Sequence, residues 1–104
     1  GLSKGLMAVT HLYADPRARG SNHVVLAHEL LHTLGATDKY QGRTGQPLNP
    51  VGLGDPPQSP RYPQRRGEIM AGRIAVNASE AVIPDGLQQM IVGPATAHEI
   101  GWAE

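Results

Sequence analysis

One run carries the chemistry of this chain: His28-Glu29-Leu30-Leu31-His32-Thr33-Leu34-Gly35-Ala36-Thr37-Asp38, of the form HExxHxxGxxD. On an α-helix, residues four apart stand one turn apart on the same face, so the imidazoles of His28 and His32 can reach a single metal ion. Glu29 lies at the edge of that face, where a carboxylate can polarise a water held by the metal. Gly35 permits the left-handed backbone that ends a helix and redirects the chain. The turn beyond it can carry Asp38 back toward the two histidines as a third ligand. The sequence contains no cysteine, so thiolate ligands, disulfides and cysteine nucleophiles are excluded together. Any metal must then sit on His, Asp or Glu.

These residues need a helix, a turn and a wall to position them. The spacing predicts a helix from about Asn22 to Leu34, with Ser21 or Asn22 as its N-cap. Val24, Ala27, Leu31 and Leu34 form its buried stripe, and Val25, His28 and His32 form a second, with Glu29 at its edge. Upstream, Leu6 to Tyr13 alternates as a strand does, apolar on one side and mixed on the other. Between Gln41 and Gly67 the prolines and glycines are too dense for regular helix or central strand. A loop of that length is either a mobile surface segment or the rim of a cleft. Glu68 to Ile74 restores apolar character, Asn77 to Ala81 reads as a turn or a short helical start, and Leu87 to Val92 as a short helix. A last helix begins at Gly93-Pro94 and ends near Gly101, with Ala97, Ile100 and Trp102 directed at the core.

The chain has 104 residues, room for one domain with a modest core. We expect a single α+β catalytic domain over residues 1–104, or the C-terminal part of a longer one, since the sequence begins at Gly1. A formal net charge of +0 argues against a nucleic-acid partner held by bulk electrostatics. No apolar run is long enough to cross a membrane. Phenylalanine is absent, so the core must be aliphatic and small, and a bound metal could staple it.

With the helix motif, the glycine and the carboxylate in place, the chain resembles the metzincin zinc peptidases. Their signature is HExxHxxGxxH followed by a methionine-containing turn. Asp38 stands where most members carry a third histidine, as in the snapalysin-type bacterial members, and Met70 in Glu68-Ile69-Met70-Ala71-Gly72 resembles the Met-turn. The resemblance implies one zinc ion held by His28, His32 and Asp38, and Glu29 as the group that activates a water for attack on a peptide bond. It implies a zinc-dependent endopeptidase acting on peptide or protein substrates. The strand from Leu6 to Tyr13 resembles the family's edge strand, along which an extended peptide would pair. Gly72 stands where some members carry an oxyanion tyrosine, which leaves Tyr40, Tyr62 and His11 as candidate oxyanion or substrate contacts.

Two other functions compete. A metal-dependent ribonuclease of the YbeY type uses a related histidine-rich helix, but lacks a glutamate after the first histidine. A non-catalytic zinc-stabilised module needs the same ligands and no cleft. A gluzincin site would need a downstream glutamate ligand such as Glu80 or Glu99.

Overall fold

The apolar stripe of the helix that carries His28 and His32 sets the architecture. In the computed structural model, which describes residues 21–102, that helix is α1, Ser21–Thr33. Ala27 and Leu31 are fully enclosed, Val24 is buried, and Leu34 packs against the same core. The second stripe remains at the surface: Val25 and Glu29 are exposed, and His28 and His32 are half-buried. The strand expected over Leu6 to Tyr13, with His11, lies outside the described residues.

Gly35 ends the helix as its residue type predicts. Its φ is +104°, the Ala36 N–H donates to the Leu31 carbonyl at 3.0 Å, and the Gly35 N–H donates to the His32 carbonyl at 3.1 Å. This pair of bonds is the Schellman closure, and it turns the chain back across the end of the helix.

No helix or paired strand follows until Gly67, only isolated bridges at Tyr40–Pro47 and Leu53–Gly67. Proline has no N–H to donate, so side chains join the scattered backbone bonds in closing this stretch. The Gln58 amide donates to the carbonyls of Pro60, Arg61 and Pro63. Gln64, only 4% exposed, donates to the carbonyls of Asp55 and Arg61 and accepts the Asp55 N–H. The loop is therefore internally bonded, although most of its residues are at the surface.

Four two-residue strands follow. β1 (Gly67–Glu68) pairs parallel with β4 (Met90–Ile91), Gly67 opposite Met90 and Glu68 opposite Ile91. β2 (Ile74–Ala75) pairs antiparallel with β3 (Ala81–Val82), and Asn77 organises the turn between them by accepting the Ser79 N–H. The helix expected over Leu87 to Val92 is only a 3₁₀ turn, Leu87–Gln89, because the parallel pairing draws Met90 and Ile91 into a strand. α2 (Pro94–Glu99) begins with proline in its first turn after Gly93, as expected. Ile100 beyond it is buried, but Trp102 is 44% exposed, since the chain turns outward at Gly101 with φ +74°.

The core lies between the buried stripe of α1 and a patch made by Ile69, Met70, Ile74, Leu87, Met90 and Ile100. Among the described residues this is a small α+β domain of two helices and two short sheets. None of its helices is long and apolar enough to cross a membrane.

Candidate metal centre

Both histidines of α1 have one ring nitrogen fixed by a backbone carbonyl. His28 Nδ1 lies 2.9 Å from the Ile69 oxygen, and His32 Nδ1 lies 2.9 Å from the Ala36 oxygen. A carbonyl only accepts, so each Nδ1 carries the proton and donates. In the neutral imidazole Nε2 then presents a lone pair. The two Nε2 atoms converge on one oxygen: Asp38 Oδ1 is 2.9 Å from His28 Nε2 and 2.8 Å from His32 Nε2. Three electron pairs thus face a single point. A cation placed among them would satisfy all three.

The donor set fits a divalent ion such as zinc. Two neutral imidazoles and one carboxylate are a familiar ligand combination, and metal-binding histidines commonly donate the other ring N–H to a carbonyl or carboxylate, as both do here. Bonds of about 2.0–2.2 Å in a tetrahedron place ligand atoms about 3.3 Å apart. The observed separations of 2.8 and 2.9 Å therefore need only a small spreading. Glu29 lies near both rings: one ligand atom each from His28, Glu29 and His32 lies within 4.8 Å of the others.

Long-range contacts hold the Asp38 carboxylate in place. Thr37, just before Asp38, donates its N–H and its hydroxyl to Glu99 at the end of α2, at 3.0 and 2.8 Å. Lys39, just after it, is 4% exposed, and its ammonium donates to Glu99 at 2.6 Å and to the Thr37 carbonyl and hydroxyl. The Lys39 N–H donates to the Met70 carbonyl at 2.9 Å. Asp38 is pinned from both sides, to α2 and to the turn that also supplies the Ile69 carbonyl. Burial works against the charge on Glu99, but Lys39 and the two Thr37 donors outweigh it and hold its carboxyl at about 2.

Met70 is fully enclosed in the core under α1, in a turn whose Ala71 and Gly72 N–H groups both donate to the Glu68 carbonyl. The Glu68 side chain is also fully enclosed. It accepts the Met70 N–H through one oxygen, and the Gly93 N–H (3.0 Å) and Thr96 hydroxyl (2.8 Å) through the other. Burial pushes its carboxyl above the usual range against these three donors. Glu68 thereby ties the Met70 turn to the start of α2.

A cleft of about 520 Å³ opens beside His28 and Glu29, walled by α1, by Tyr40 with residues 42–45, and by residues 71–73. Of the candidate tyrosines, Tyr40 comes close, its ring 6.3 Å from that of His28. Tyr62 does not: it lines a separate hollow of about 260 Å³ within the proline-rich loop. Only the first part of that loop rims the cleft. Glu80 hydrogen-bonds Asn77 at the β2–β3 turn, and Glu99 is committed to Thr37 and Lys39, so Asp38 is the carboxylate that meets both histidines. Lys39, Glu68, Arg43 and Arg73 acquire their places only through the fold, and no spacing in the sequence singles them out. Searches of protein-family models, of curated proteins and of solved structures found nothing that matches this chain.

Proposed function

We propose that this domain is a zinc-dependent endopeptidase of metzincin type, with zinc on His28, His32 and Asp38. The observation that carries this reading is the convergence of both Nε2 atoms on one Asp38 oxygen, with both Nδ1 protons already committed to carbonyls. Zinc, when bound, supplies a Lewis acid that makes a water acidic enough to ionise near neutral pH and that polarises a carbonyl. Glu29 takes the proton of the attacking water and returns it to the leaving amine. Its exposure at the cleft wall leaves it free to reach both. Ile69 and Ala36 hold the imidazoles in register through their carbonyls, and Met70 forms the apolar floor beneath them. Tyr40 flanks the cleft, where its hydroxyl can contact substrate.

Metal content and cleavage of end-blocked peptides, measured together, test the proposal. We expect zinc in the wild-type chain and in Glu29→Ala, with cleavage reduced roughly 10²- to 10⁴-fold in the variant. Asp38→Ala should lose the metal. Cleavage that survives Glu29→Ala overturns the mechanism, and a chain that binds no zinc overturns the site. Zinc binding without cleavage in the wild type would leave a metal-stabilised module.

A further inference from the structure

The charges lining the cleft do not balance among themselves. Among the described residues, two guanidinium groups, Arg43 and Arg73, line it against the one carboxylate of Glu29. Among the described residues the ion pairs are His28–Asp38, His32–Asp38 and Lys39–Glu99, and neither arginine takes part in them or in a hydrogen bond. Arg73, though exposed, rests against a neighbouring glycine. Its guanidinium lies over Gly45, where a Cβ would stand 2.8 Å from Nη1 and 3.1 Å from Cζ. A side chain at position 45 would displace it, and the φ of +74° there also favours glycine. Arg73 follows the Met70 turn, and its guanidinium reaches the segment 42–45 that carries Arg43. A guanidinium presents a planar fork of donors and no acceptor, and its best match is a carboxylate bound by two parallel hydrogen bonds.

We infer that the cleft selects substrates by a carboxylate close to the scissile bond, received by Arg73 with Arg43 beside it. This rests on the peptidase reading of the same site. The carboxylate can come from an Asp or Glu side chain or from a free peptide C-terminus, which share one chemistry.

Three peptides separate these sources: an end-blocked peptide with Asp beside the cleavage site, its Asn counterpart, and the Asn peptide with a free C-terminus. Two readouts are needed, kcat/KM with the zinc-loaded chain and fluorescence anisotropy of labelled peptides on zinc-loaded Glu29→Ala. Either carboxylate peptide should be preferred over blocked Asn by roughly ten- to hundred-fold, and whichever is preferred identifies the source. In Arg73→Gln the ratio should fall toward one, with a smaller fall in Arg43→Gln. A merely structural defect would lower all the rates together and leave the ratio intact. Equal binding of all three peptides overturns the inference, as does a preference that survives in both arginine variants. A binding preference without any cleavage upholds the carboxylate site and overturns the peptidase reading. Cleavage without preference does the reverse.

Discussion

At the residue scale, Glu68 shows how much one side chain can hold. Its carboxylate is fully enclosed, and each of its partners is a donor: the Met70 N–H, the Gly93 N–H and the Thr96 hydroxyl. Those bonds join β1, the Met70 turn and the first turn of α2. An amide cannot replace it. If the oxygen of Glu68→Gln kept Gly93 and Thr96, its NH₂ would face the Met70 N–H, donor against donor. We expect the variant to lose about 1–3 kcal/mol of stability, read from urea unfolding, since a buried donor is left without an acceptor. A midpoint equal to that of the wild type would show that the carboxylate is dispensable. The same logic of matched partners governs the histidines. Carbonyls fix their Nδ1 protons, and that leaves the Nε2 lone pairs to meet Asp38.

At the element scale, α1 supplies two of the proposed ligands from one face, and the third comes from a turn secured by a different helix. Glu99 of α2 grips Thr37 and Lys39 on either side of Asp38. Held at about 2 in the folded protein against an ordinary 4.5, its carboxyl favours folding in its ionised form. That contribution is fully present above pH 4.5 and fades as the pH falls from 4.5 toward 2. Thermal melts of wild type and Glu99→Gln should therefore differ most at neutral pH and draw together near pH 2. Parallel curves across this range would mean that the Lys39–Glu99 pair adds nothing to stability. The β1–β4 pairing matters at this scale too, because it orients the turn whose Ile69 carbonyl holds His28.

For the whole molecule, the aliphatic core seen among the described residues is small and their sheets have two-residue strands, so a cation joining α1 to the Asp38 turn should stabilise the domain as a whole. A ligand that binds only the folded state at about 100 times its Kd adds about 2.7 kcal/mol, which in a domain of this size raises Tm by about 10–20 °C. Stripping the protein with a chelator should lower Tm by an amount of that order, and adding zinc back should restore it. A melting curve indifferent to chelator and zinc would remove the metal from the account of stability.

The sequence by itself determined what depends on neighbours along the chain. The i, i+4 placement of His28 and His32 and the buried stripe of α1 follow from helix periodicity. The left-handed Gly35 and the proline start of α2 follow from backbone sterics, and all four hold in the structure. Met70 as a buried residue was legible from the apolar run around it. Tertiary structure decided what depends on distant partners. The meeting of both Nε2 atoms with Asp38 relies on Glu99 some sixty residues away, and the His28 tautomer on Ile69, forty-one residues away. Local propensity misread Leu87 to Val92, because a parallel partner outweighed it, and misread Trp102, because Gly101 turned the chain away from the core. Which tyrosine joins the cleft, and that Arg73 rests over Gly45, follow from packing between segments far apart in sequence, which spacing along the chain does not encode.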